Sequence, residues 1–421
     1  MKKNKRYLLL FIFLMLLITY YEYITIGESL VSTGLFESEK RLQKVICSWG
    51  ILLLSAFSFW GLSKIYLKKS ISRWISWFFF FAFISSLINA LVNGLPSISS
   101  PIIWISPLFV FWGIYIISIK LDNTNLMFFT FLLSTYVLIY GYFESYRETM
   151  FLTLREDVAL ISSYYSLYML PLVMTGKNKK ILIYITIAVM VVVVITAIKR
   201  TGAIALALGL LSYFYIYTSC AQSLKGNTLK KMAAFTCMVA LVAALVGYIS
   251  LYADTLLFDR LTVENIRETE GSNRIEVWTR TWKMIMEEDY FGYILGNGFS
   301  GVGKVAYSGA HNDFLEVFYD YGIFGLILYV LMHVKLIQYV FMMIKRKSRY
   351  AAPMGMSYAI FFVVSNTSQI VIYPYFEILF VIVWGYLIAS DHKETIYRKQ
   401  SIYGEKNNSN SSTSILSVQR K

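Results

Sequence analysis

The sequence predicts an all-α polytopic membrane protein with about twelve transmembrane helices and one large, partly helical extracytoplasmic loop. Three observations lead there. The 421 residues are 57% hydrophobic and only 15% charged, whereas soluble domains carry about 25% charged residues. Apolar runs of about 20 residues recur along the whole length, and each can cross about 30 Å of hydrocarbon as a helix. Backbone groups in lipid must be satisfied internally, leaving helices or a closed barrel. Runs such as Ile181–Ile198 lack the period of two that barrel strands show.

The expected spans fall at 7–26, 45–63, 74–93, 101–119, 126–143, 157–175, 181–198, 201–219, 232–252, 322–343, 353–370 and 374–390. The first follows a basic start (Lys2, Lys3, Lys5, Arg6) with no small-residue cleavage site before Thr25, so it is expected to remain uncleaved. Alternate connections are basic: Lys64/Lys68/Lys69/Arg73, Lys177/Lys179/Lys180, Lys225/Lys230/Lys231 and Lys345/Arg346/Lys347/Arg349. About 25 of the 39 Lys and Arg lie on that side, which the positive-inside rule makes cytoplasmic. The chain is therefore expected in the cytoplasmic (inner) membrane, with both termini in the cytoplasm. The organisation expected is a transmembrane bundle over 1–253, an extracytoplasmic loop over 254–321, further spans over 322–390 and a disordered cytoplasmic tail over 391–421.

The formal charge of +14 is thus a topology signal. No basic-aromatic module stands outside the spans, which argues against nucleic acid as a partner. Cys47, Cys220 and Cys237 lie in or beside apolar runs, odd in number and without metal spacing, so they read as packing residues.

The loop over 254–321 is the one long connection, and long connections in compact folds are usually functional. It holds about 12 of the 25 acidic residues. Asn273 with Glu276 forms a capping-box pattern, and Ile275, Trp278, Trp282 and Ile285 follow at helical spacing. An amphipathic helix is expected at 274–287, lying on the membrane or on the bundle. The stretch Gly292–Gly303 reads as a flexible turn region, and a second helical pattern starts at His311.

Several residues stand out chemically. Lys199 and Arg200 interrupt a long apolar stretch on the outer side, against the positive-inside bias. They are either hairpin cations reaching the interface or the grip for an anionic group, since arginine's fork suits phosphate oxygens. His311 is the histidine at the outer surface; His333 falls in a span and His392 in the tail. Beside it stand Asn312, Asp313 and Glu316. An imidazole there can take a proton from a sugar hydroxyl, and a neighbouring carboxylate would hold its tautomer. Arg274 opens the loop helix about one turn from Trp278, while Arg280 fits a surface pair with Glu276. Trp278 and Trp282 read as interface anchors or as sugar platforms. Glu377, within the last span, needs a partner, for which an outer-face arginine is one candidate. Glu287, Glu288 and Asp289 point different ways on a helix, so no metal is expected there.

Ser272-Asn273-Arg274 with Trp278, then Gly296-Asn297-Gly298, then His311-Asn312 followed by Tyr321-Gly322 and Gly325, resembles the O-antigen ligase and Wzy-type polysaccharide polymerase superfamily. The resemblance covers about 60 residues together with span count and topology. It implies a metal-independent, inverting glycosyltransferase that needs no cofactor. The substrates it implies are undecaprenyl-diphosphate-linked sugars, handled at the outer face of the bilayer, with other polysaccharide assembly proteins as partners. By resemblance the family's loop arginine falls on Arg274, its loop histidine on His311 and its span-end arginine on Arg200. Lys199 remains an alternative to Arg200, because the family often shows Ser-Arg there. His311 or Glu316 would be the base, and Asn312 would assist binding. The Lys- and Asn-rich ends point to a low-GC Gram-positive source with no lipopolysaccharide core to ligate, which within the resemblance favours polymerisation of capsular or exopolysaccharide repeat units. A ligase, or a flippase for the same lipid-linked sugars, is the alternative.

Overall fold

The protein is described by a computed structural model covering residues 2–28, 37–58, 70–94, 100–153, 162–197, 199–220, 270–306, 309–368, 370 and 374–418. Among the described residues there are fourteen helices and no strand. The first eight are α1 (Lys2–Glu28), α2 (Glu37–Ser58), α3 (Ser70–Asn93), α4 (Ser100–Lys120), α5 (Thr124–Thr153), α6 (Ser163–Val173), α7 (Lys180–Thr196) and α8 (Arg200–Cys220). After the expected span 232–252, which lies outside the described residues, come α9 (Glu270–Glu287), α10 (Tyr290–Leu295) and α11 (Gly301–Ala306). The last three are α12 (Asp313–Lys345), α13 (Ala351–Thr367) and α14 (Pro374–Val418).

Among the described residues, six helices are long and apolar enough to cross a membrane: α1, α3, α4, α5, α8 and α12. Shorter apolar helices occupy Leu42–Ser58 and Lys180–Thr196. Of the sixth expected span, 157–175, residues 157–161 lie outside the described residues, and the helix described within it, α6, has 11 residues, all buried. Leu167, Tyr168 and Leu170 make it part of the bundle's core.

Helices with apolar surface all round must find packing rather than hydrophobic sorting, and small residues let them approach. A Cβ on Gly209 of α8 would stand 2.9 Å from Ile360 of α13. One on Gly385 of α14 would stand 2.8 Å from the Phe111 carbonyl of α4. The elements run alternately up and down. Tyr20 of α1 donates to Gln43 of α2, Thr19 of α1 to Ser134 of α5, and Tyr142 of α5 meets Thr196 of α7 at 2.8 Å. The late residues of α1, α3, α5, α7 and α13 therefore share one end with the starts of α8, α12 and α14.

At the opposite end Asp391 accepts from Tyr339 and Arg346, both at 2.8 Å. Arg398 donates to the Arg346 carbonyl at 2.8 Å and pairs with Glu394 at 2.6 Å. These contacts hold α14 past Ser390 as far as Arg398, and the helix is described to Val418, within the stretch expected to be a disordered tail.

The loop packs on the upper end of the bundle through a mutual clamp. Asn297 donates its backbone N–H to the Tyr319 carbonyl at 3.0 Å, and Gly298 donates to Asp320 at 2.7 Å. Gly296 (φ 79°) and Gly322 (φ 65°) sit in the left-handed region that glycine tolerates. A Cβ on Gly296 would strike the Asp320 carbonyl, and one on Gly322 the Ile294 carbonyl. Gly322 also kinks α12, separating Asp313–Tyr321 from the apolar remainder. The segment read as a flexible turn is thus two short helices docked by close backbone approach. Ser85 bonds to the Leu295 carbonyl at 2.7 Å and Ser86 receives Phe299 N–H at 3.2 Å, fixing the loop to α3.

Candidate functional site

Four separate stretches converge above the α7–α8 turn. Arg200 opens α8, where unsatisfied backbone N–H groups and the helix dipole already favour an anion. Thr201 beside it is buried, and its hydroxyl receives the Arg274 guanidinium at 3.4 Å. Thr367, from the last turn of α13, donates to the same hydroxyl at 3.1 Å. Tyr164 of α6 hydrogen-bonds Thr201 and Ser368 and faces Arg274. Arg274 is pulled below its ordinary value chiefly by burial, with Tyr164 opposing and Arg200 adding to the fall. These two arginines are therefore electrostatic neighbours although 74 positions separate them along the chain.

His311 completes the cluster. It adopts φ 53°, a left-handed conformation uncommon for a residue with a Cβ. Its neighbours hold it there. Ala310 donates its N–H to Glu316 Oε2 at 2.5 Å. Asn312 caps α12, its Oδ1 accepting from Phe314 at 3.0 Å and Leu315 at 3.3 Å. The same side chain donates to the Asn366 carbonyl at 3.4 Å. Asp313 Oδ1 accepts from Ile370 N–H at 2.8 Å, and its Oδ2 from Tyr329 at 3.3 Å. Burial first, then the charges of Arg274 and Lys199, push the His311 imidazole down to about 4. Its free-base form is thus the resting state near neutrality.

Lys199, Arg200, Arg274, His311, Asn312 and Glu316 are all described, and the first four share one electrostatic neighbourhood. Asn312 joins them through Asn366. Glu316 plays a different part from a tautomer holder: fully buried, it grips the backbone at Ala310 just before His311. The Asn273 capping box is corrected, because α9 already begins at Glu270. Glu287 pairs with Lys283 at 3.6 Å, and Asp289 caps α10 through Gly292 N–H at 2.6 Å. Among the described residues no group of three or more His, Cys, Asp or Glu could hold a metal ion. Glu377 lies beside Asp313 and Tyr321, and an arginine is not among its described neighbours. Thr201 and Tyr164 escape sequence reasoning, since nothing marks ordinary polar residues until the helices are assembled, whereas Asn366 and Thr367 belong to the polar stretch Ser365–Gln369 that closes the expected eleventh span. The other histidines serve packing: His333 Nδ1 meets Tyr358 at 3.1 Å, and His392 Nδ1 meets Tyr115 at 2.8 Å.

Residues 185–330 match the O-antigen ligase family model. The matched third of the chain runs from α7 through the first half of α12, and so includes Lys199, Arg200, Arg274 and His311. No curated protein matches the chain. The match supports the O-antigen ligase and Wzy-type polymerase superfamily, and with it a membrane protein.

Proposed function

With the O-antigen ligase match over residues 185–330 as the premise, we propose that the chain is a membrane glycosyltransferase. It polymerises undecaprenyl-diphosphate-linked oligosaccharide repeat units into capsular or exopolysaccharide, on the outer face of the cytoplasmic membrane. The observation that carries this reading is the gathering of Arg274 and Lys199 at His311, with Arg200 beside Arg274 and the histidine held as free base. Such a cluster suits one ligand class best: an anion bearing several oxygens, next to a hydroxyl that must lose a proton.

The acceptor hydroxyl oxygen forms the new bond to the donor's anomeric carbon from the face opposite the diphosphate, inverting the configuration. The anomeric carbon–oxygen bond to diphosphate breaks, and undecaprenyl diphosphate departs with that electron pair. Arg274 and Arg200 stabilise the charge growing on the leaving oxygens, as preorganised cations do at any such centre. His311 takes the hydroxyl proton. Glu316 and Asn312 hold the histidine's backbone in place. Diphosphate is a leaving group that needs no general acid, so one base suffices, in contrast to the paired carboxylates of glycoside hydrolysis. The Trp278 indole N–H, buried without a described partner, is a spare donor one turn from Arg274 for a sugar oxygen.

The description of the matched family favours a second reading, transfer of a finished glycan to a different acceptor. Incubating purified protein with lipid-linked repeat units alone separates the two. A ladder of lengthening products supports polymerisation. Product only after a second acceptor is added supports ligation, and neither outcome with an active donor would point to a flippase.

A further inference from the structure

Helix α9 has three faces, whereas a helix lying on a bundle needs two. With successive residues about 100° apart, Thr281 and Ile285 define the face turned to the protein; Ile285 is 2% exposed. Glu276, Arg280, Lys283 and Glu287 form a polar face roughly opposite. Between them, about 90° from the bundle side, lies an uncovered apolar stripe of Ile275, Trp282 and Met286. Tyr290, 84% exposed, and Phe291 prolong it beyond the helix.

The depth of this stripe follows from what α9 packs on. Ile285 belongs to a small cluster with Val302 and Phe318, against which Ile323 and Leu326 of α12 also pack. Ile323 and Leu326 lie just past the Gly322 kink, in the first turn of the apolar part of α12. From that turn Phe324, Ile327, Val330 and Val334 run down α12 exposed at three- and four-residue spacing, the signature of a lipid-facing side. Trp282 stands 6.3 Å from Phe318, six residues above Phe324. The uncovered stripe is therefore continuous with the lipid-facing surface and sits where that surface begins.

We propose that α9 and the start of α10 dock on the bilayer itself, with Trp282, Met286, Tyr290 and Phe291 seated at the headgroup–acyl boundary of the adjacent leaflet. Aromatic and long apolar side chains beside a charged face are what an in-plane interfacial helix requires. Docking would fix Arg274, on the protein-facing side of the same helix, at headgroup depth. The inference stands independently of the reaction catalysed.

The test uses full-length protein in phosphatidylcholine–phosphatidylglycerol vesicles, with Cys47, Cys220 and Cys237 replaced by alanine. An environment-sensitive fluorophore is attached at Met286→Cys, at Tyr290→Cys or, as the polar-face control, at Lys283→Cys. Labels at 286 and 290 should be quenched severalfold more by lipids brominated near the headgroup than by aqueous iodide, and the label at 283 the reverse. Iodide access to 286 and 290 equal to that at 283 would overturn the proposal. So would shielding from both quenchers, which would mean that a second copy or residues 221–269 cover the stripe. Because 286 and 290 are read separately, misfolding of one variant leaves the other decisive.

Discussion

The acid limb of the pH–rate profile is the most quantitative consequence of the site. With His311 at about 4 instead of 6.5, about 90% of the free enzyme still carries the basic imidazole at pH 5, against about 3% for an unperturbed histidine. Profiles of kcat/KM report free-enzyme groups, so activity on that scale should hold down to about pH 5 and fall below it. Lys199→Gln removes one cation that disfavours the imidazolium. The histidine then protonates more readily, and the limb moves to higher pH by a few tenths to about 1 unit. Burial is the largest cause of the depression, so the variant's limb should remain below 6.5. A bound diphosphate offsets the same cations, which places the limb of kcat above that of kcat/KM. The assay is initial polymerisation rate from pH 3.5 to 8, each sample retested at pH 7 to exclude inactivation. A wild-type kcat/KM limb at 6.5, or a downward move in Lys199→Gln, would refute the electrostatic account.

Other consequences follow from the scaffold. Gly296→Ala forces a Cβ into the Asp320 carbonyl at positive φ, whereas Gly94→Ala meets the same backbone strain (φ 86°) with nothing within 4 Å. Thermal unfolding in detergent should show Gly296→Ala losing more than about 1 kcal/mol beyond the Gly94→Ala control; equal shifts would contradict the clamp. Asp313→Ala orphans the Ile370 N–H, a loss of about 1–3 kcal/mol for a buried group, and leaves Ser365 as the remaining hydrogen-bond partner of the Tyr329 hydroxyl. Asp313→Asn, which keeps an acceptor for Ile370, should fall between it and wild type in both stability and rate. Polymerisation should persist in EDTA, and complete loss restored by Mg²⁺ would direct attention back to Glu287–Asp289.

Much of the fold was legible because lipid imposes a coarse rule: an apolar run of sufficient length becomes a helix. Arg200 stood out as a charge at the edge of a span on the outer side, and Arg274 and His311 through the loop motifs that carry the family resemblance. Thr201 did not, since it meets Thr367, 166 positions away, only when α8 packs on α13. Gly296 and Gly322 were visible as motifs, but glycine signals both flexibility and close approach, and sequence alone does not separate them. Glu316 was correctly placed near His311. Its bond to the Ala310 backbone, rather than to the imidazole, depends on the left-handed turn that spacing cannot reveal.

The central claim is that His311 acts as the base in a site built by the arginines, and one measurement addresses it directly. His311→Ala, His311→Gln and His311→Asn proteins, matched to wild type for membrane insertion and thermal stability, are given lipid-linked repeat units, and product length is read on a gel. A positioned base contributes about 10²–10⁴-fold in rate, so all three variants should leave the substrate as single units under conditions where wild type builds a ladder. Wild-type ladders from all three would contradict the account, and a histidine that merely holds the loop would show itself by activity surviving in the Gln and Asn proteins alone.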